Sequence, residues 1–262
     1  MMLEGKRITF LFVAFAFACS MFSFSSNAAE LREIERRGKL IVAVKDNLRP
    51  LGFRDATGNL QGLEIDIAKR LAEEILGRPD AVVLQPVANQ NRISVVLEDQ
   101  VDLTIARVTA TASRSRLVDF SASYYFDSTA FVTKDANVQQ LGDFSLGRRK
   151  IAVLKSSTTI AQVRFAVKNA PLVGVDSYEQ ARSLLEAGEV SAFAADASVL
   201  AGWVQEYPQY RILPSLLSAE ALSVVMPRGL QYDPLRQRVN DAIERWQASG
   251  WLKARATYWG LP

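Results

Sequence analysis

Three arginines, Arg107, Arg114 and Arg116, lie among five hydroxyl residues in the stretch ARVTATASRSRLVDFS, residues 106–121. A guanidinium meets a carboxylate or phosphate with two parallel N–H donors, a geometry that lysine cannot copy. The stretch could therefore be a site for one small anion, a nucleic-acid contact or a solvated connector. Overall charge argues against nucleic acid. The 262-residue chain carries 31 lysines and arginines against 28 acids, a formal net of +3, which is too little for binding driven by counterion release.

The remaining chemistry is narrow. The sequence contains no histidine and a single cysteine, Cys19. Ser-His-Asp and Cys-His nucleophiles are thereby excluded, and so are imidazole or thiolate zinc sites and disulfides. No metal or cofactor is expected. Any catalysis would have to use carboxylate, lysine, tyrosine or hydroxyl groups.

The first 28 residues read as an export signal. Lys6 and Arg7 precede the apolar run Ile8 to Cys19, and Ser26-Asn27-Ala28 offers a small-residue cleavage site. The run is shorter than the ~20 residues that a membrane span needs. Ala16-Phe17-Ala18 is a poor lead-in for a lipidated cysteine, so cleavage without anchoring at Cys19 is expected. Removing Glu4, Lys6 and Arg7 leaves 29 basic and 27 acidic residues. The mature chain should be exported, soluble and monomeric.

Short β-rich runs alternate with helical patterns, which points to an α/β architecture. Strands are expected at residues 40–44, 81–84, 101–106, 150–154, 172–175 and 190–195, with an extended apolar run at 221–226. Helices are expected at 63–76, 93–97 and 161–167, from the capping box Ser177-Tyr178-Glu179-Gln180 to Gly188, and from Asp233-Pro234 onward. The arginine stretch thus starts where a buried strand ends, the side of an open α/β sheet where ligands bind. Two lobes joined by extended segments near 129–135 and 221–227 fit this order. Lobe 1 would comprise residues 29–131 with 226–262 and lobe 2 residues 132–225, with a ligand in the cleft between them.

Three segments carry a family resemblance. Gly62-Leu63-Glu64-Ile65-Asp66-Ile67 opens the first long helix. Thr109-Ala110-Thr111-Ala112-Ser113-Arg114 is followed by Val118-Asp119-Phe120-Ser121 and Tyr124-Tyr125. Trp246-Gln247-Ala248-Ser249-Gly250-Trp251-Leu252 and Tyr258-Trp259-Gly260 close the chain. In that order they resemble the extracellular solute-binding protein family 3, the amino-acid-binding proteins of bacterial ABC importers. The resemblance implies a type II periplasmic-binding-protein fold with two hinge strands, an amino-acid ligand and a membrane permease as partner.

It also implies roles. Arg114 would clamp the ligand carboxylate, with Thr109 beside it. Ser157 and Thr158 would offer hydroxyl and N–H donors at a helix start, and Asp196 would accept from the ammonium. Asn89-Gln90-Asn91-Arg92-Ile93 is similar to a segment of the acidic-amino-acid branch. Arg92 would there serve a side-chain carboxylate or else be a surface arginine, and Lys45 stands at a position that is basic in some members. Two departures stand out. Leu48 replaces the usual stacking aromatic, and Arg107 replaces a small residue, so that it either reaches into the cleft or turns outward. The implied function is delivery of a polar, acidic amino acid to a permease. The alternative is an enzyme resembling cyclohexadienyl dehydratase, with a cleft acid such as Asp196 as general acid.

Overall fold

The computed structural model describes residues 30–144, 149–155 and 157–262. The expected signal, Cys19 and Ser156 lie outside the described residues.

The chain begins with α1 (Leu31–Arg37) and β1 (Leu40–Val44). A small antiparallel sheet follows, made of β2 (Asn47–Leu48), β3 (Gly52–Arg54) and β4 (Leu60–Gln61). Next come α2 (Leu63–Leu76), β5 (Val82–Pro86), α3 (Ser94–Leu97), β6 (Leu103–Ile105) and β7 (Asp119–Asp127). The chain then crosses to a second sheet. There it builds β8 (Thr129–Thr133), β9 (Ile151–Leu154), α4 (Thr159–Ala166), β10 (Leu172–Val175), α5 (Tyr178–Glu186), β11 (Ala192–Asp196), α6 (Ala197–Glu206) and β12 (Arg211–Ile212). It returns through β13 (Glu220–Met226) and ends in α7 (Asp233–Ala248) and α8 (Trp251–Tyr258).

Each lobe holds one five-stranded sheet. The first has the order β5-β1-β6-β13-β7 and the second β10-β9-β11-β8-β12. In both, three strands run parallel and the two added strands pair antiparallel. Strand β1 is almost wholly buried, as a parallel strand covered on both faces must be. The crossings lie side by side, because Asp127 pairs in register with Glu220 and the Thr129 N–H donates to Ser218 Oγ at 2.9 Å. The chain therefore changes sheet at Ser128 and again just before Glu220, a few residues earlier than the sequence pattern suggests.

Local chemistry explains the elements. Gly62 takes a φ of 127°, and a Cβ there would sit 2.2 Å from the Leu51 carbonyl oxygen. Its absence lets the first N–H groups of α2 reach the Pro50 and Leu51 carbonyls at 3.1 and 2.8 Å. Residues Ala68, Leu71, Ala72 and Ile75 then bury one face of α2. At α5, Ser177 Oγ accepts from Gln180 N–H at 3.1 Å, while Gln180 Oε1 reaches past it to the Asp176 N–H at 2.7 Å. On α7, Leu235, Val239, Ala242, Ile243 and Trp246 are buried as their spacing predicts.

The lobes touch closely along α6. Ala201 packs into the first lobe's core, and a Cβ on Gly202 would lie 2.2 Å from the Arg49 carbonyl oxygen. Gly202→Ala should therefore push the lobes apart, at a strain of about 1–3 kcal/mol. Small-angle scattering should show a larger radius of gyration, and an unchanged radius would mean that this contact does not set the approach of the lobes.

Candidate ligand site

Strand β6 ends at Ile105, and the chain turns at Arg107 with a φ of 50°, a left-handed conformation that side chains with a Cβ rarely adopt. Two contacts fix it. The Arg107 N–H donates to Glu64 Oε1 at 2.6 Å, and its carbonyl accepts from Arg92 Nη1 at 2.5 Å. Arg92 also donates to the Asn89 and Ala106 carbonyls at 2.9 and 3.1 Å. It is half-buried and straps the loop into shape rather than lying free on the surface.

Glu64, in the Gly-Leu-Glu opening of α2, is wholly buried and also accepts from the Tyr124 hydroxyl at 2.6 Å. Burial pushes its pKa up, against the pull of Tyr124, the Arg107 N–H and the charges of Arg107 and Arg92. An acidic residue thus holds the backbone of the loop from beneath.

The Arg107 guanidinium spans the two lobes. Its Nη2 pairs with Asp196 Oδ2 at the start of α6, and its Nε lies 3.4 Å from Asp127 Oδ2 at the crossing. Asp127 is buried and accepts from the Ser128 N–H, the Ser198 N–H and the Ser198 hydroxyl at 2.9, 3.0 and 2.5 Å. Burial works against the Arg107 charge, but Asp196 and then Asp127 outweigh it and hold the guanidinium protonated. Arg107 therefore turns inward.

Seven of the nine expected residues line one cavity of about 580 Å³. Arg92, Arg107, Thr109 and Arg114 come from the first lobe, and Ser157, Thr158 and Asp196 from the second. Arg114 Nη1 donates to the Thr109 carbonyl at 2.9 Å. Ser157 Oγ donates to the Leu154 carbonyl at 2.8 Å, and Thr158 caps α4 without a side-chain bond to it. Arg116 is exposed.

Two expected residues lie elsewhere. Lys45 is buried and donates to the Val87 carbonyl at 2.9 Å. Burial, then the Arg92 charge, pulls its pKa down. Leu48 lines a neighbouring recess with Tyr178 and Trp203.

One lining residue, Glu220, escaped the sequence reading. Its Oε2 accepts from the Thr109 hydroxyl at 3.4 Å and its Oε1 from Gln162 Nε2 at 3.2 Å. The Thr129 hydroxyl donates to Gln162 Oε1, which turns the Gln162 amide N–H₂ toward Glu220. Glu220 falls at the start of an apolar strand, where it reads as an ordinary solvent-facing acid. Its pairing with Asp127 across the hinge is what brings it to the cleft.

The cleft is electrically divided. Asp127 and Asp196 share Arg107, and burial together with the charges of Asp127 and Glu220 pushes the Asp196 pKa up against the pull of Arg107. Arg92 and Arg114 line the same cavity, and burial and then the charges of Arg107 and Arg114 lower the Arg92 pKa. Such a cleft suits a small molecule that carries an anion and a cation close together.

Arg107→Met should leave Asp196 and Asp127 facing each other without their shared cation, at a cost of about 3 kcal/mol in urea unfolding. No loss would mean that the bridge does not hold the lobes. Glu64→Gln tests the support below. The raised folded pKa of Glu64 gives stability that is full below its ordinary value near 4.5 and is lost as pH rises through the folded value. From about pH 4 to about pH 8 the wild type should lose melting temperature relative to Glu64→Gln. A constant difference would contradict the burial of an ionisable Glu64.

The chain matches the bacterial extracellular solute-binding proteins, family 3, over residues 40–262. It is 32% identical to a glutamine-binding protein of Geobacillus stearothermophilus over 202 residues, 76% of this chain and 77% of that one. It is 28% identical to a glutamate/glutamine/aspartate/asparagine-binding protein of Rhodobacter capsulatus, over 78% of this chain and 63% of that one. Among solved structures it resembles a solute receptor for L-cysteine of Neisseria gonorrhoeae, with a TM-score of 0.67 and 27% identity over 88% of this chain and 93% of that one. An ancestral amino acid-binding protein described as a precursor of cyclohexadienyl dehydratase shares the fold at 22% identity, and it is itself a binding protein. The named relatives are thus binding proteins, not enzymes. With its two sheets, its paired crossings and a cleft closed by residues of both lobes, the chain belongs to the bacterial extracellular solute-binding proteins, family 3.

Proposed function

We propose that this chain is the periplasmic binding component of an ABC importer and that it carries a free polar amino acid, glutamate or aspartate by preference, to the permease. The divided cleft carries this reading. An α-amino acid presents a carboxylate and an ammonium on one carbon, and Arg114 and the acids of the cleft offer the two matching charges within one cavity. Arg92, half-buried in the same cavity, is the group for a second carboxylate or a side-chain amide. The relatives named for glutamine and for glutamate, aspartate and their amides support a ligand of that size and polarity. No helix among the described residues is long and apolar enough to cross a membrane. A monomer that closes its lobes on the ligand and presents the closed form to the permease is consistent with this reading.

A thermal-shift screen across the twenty amino acids should give its largest stabilisation with glutamate or aspartate, since a ligand that binds only the folded state raises the melting point. Arg114→Met should weaken that ligand by about thirtyfold or more in calorimetry, the effect of leaving a buried carboxylate without its partner. Unchanged affinity in this variant would overturn the assignment.

A further inference from the structure

We propose that Glu220, and not Asp196, accepts the ligand ammonium, because Arg107 already occupies the Asp196 carboxylate. The inference rests on the amino-acid reading above and deepens it by naming the acid that sets specificity.

Asp196 pairs directly with Arg107, and Arg107 is anchored a second time by Asp127 and by its own backbone. An ammonium arriving at Asp196 would have to displace a guanidinium held at both ends. Glu220 is different. Its hydrogen bonds are to neutral groups, the Thr109 hydroxyl and the Gln162 amide, and among the described residues no cation lies within salt-bridge distance of it. Of the charges that hold the Arg107 guanidinium protonated, Glu220 contributes less than Asp196 and Asp127. Glu220 is half-buried and lines the cavity, so a ligand ammonium can pair with its carboxylate without displacing another charge.

Geometry agrees. Thr109 touches both charged groups, with its carbonyl accepting from Arg114 and its hydroxyl donating to Glu220. A positive and a negative side chain therefore flank one residue. A zwitterion needs both signs of charge near one point, since its carboxylate and ammonium are attached to one carbon. The Thr109 carbonyl is a further acceptor beside the ammonium position. In this arrangement Arg107 works as a built-in substitute for the ammonium at Asp196, and the ligand is displaced toward the hinge, where Glu220 begins β13.

The test uses the full-length mature protein and two kinds of probe. The amino acid giving the largest thermal shift is compared by calorimetry with its counterpart lacking the amino group: glutarate for glutamate, succinate for aspartate. In Glu220→Gln, which keeps the size of the side chain and its contact with Thr109, the amino acid should weaken by about tenfold or more while the deaminated acid is unaffected. Glu220→Asp should retain part of the preference for the amino acid. Asp196→Asn should lower the unliganded melting temperature yet keep that preference. If Glu220→Gln leaves the amino-acid affinity unchanged, or loses both probes alike, Glu220 is not the ammonium acceptor. If Asp196→Asn alone removes the preference, Asp196 holds that role. A wild type stabilised by none of the amino acids would instead overturn the proposed function itself, so the two failures are told apart.

Discussion

A single partly buried guanidinium organises this molecule. Arg107 leaves the end of a first-lobe strand in a left-handed conformation and closes on Asp196 in the second lobe and on Asp127 at the crossing. Burying one cation costs several kcal/mol unless acids surround it, and burying Asp127 and Asp196 together would be equally unfavourable without it. Each group makes the others tenable. The consequence is mechanical as well as electrical, because the ion pair ties the start of α6 to the loop that carries Thr109 and Arg114. The Gly202 contact against Arg49 lets α6 come near enough for the pair to form.

The fold supplies the division of charge that the cleft needs. Both sheets direct the ends of their parallel strands toward the same gap, so that the loop after β6 and the turn after β11 face each other. The two hinge segments run side by side there. They contribute Asp127 from one direction and Glu220 from the other, in register. Acids thus come to the cleft from the hinge strands, while Arg92 and Arg114 come from loops of the first lobe. Neutral groups hold both sets in place: the Asn89, Ala106 and Thr109 carbonyls for the arginines, and Gln162 with Thr109 for Glu220.

Much of this is legible in the sequence where local pattern governs. The buried stripe of α7, the Gly62 opening of α2 and the apolar parallel strands follow from periodicity and from the conformational needs of the chain. Helix α6 does not. It follows β11 without a break, and Ala192–Trp203 is apolar almost throughout, so no change of period marks the passage from strand to helix. The sites divide in the same way. Arg114 and Asp196 stand at the ends of recognisable elements. Glu220 and Asp127 reach the cleft only through the register of two strands nearly a hundred residues apart, a long-range pairing that leaves no local trace. Lys45 stands at a strand end but points its ammonium at the Val87 carbonyl, since its neighbour Arg92 already claims the loop.

The most direct measurement is a crystal structure of the protein with the amino acid that stabilises it most. The account requires the ligand carboxylate on Arg114, the ammonium between Glu220 and Thr109, and the Arg107–Asp196 pair intact across the lobes. A ligand whose ammonium sits on Asp196, with Arg107 swung out of the cleft, would contradict it.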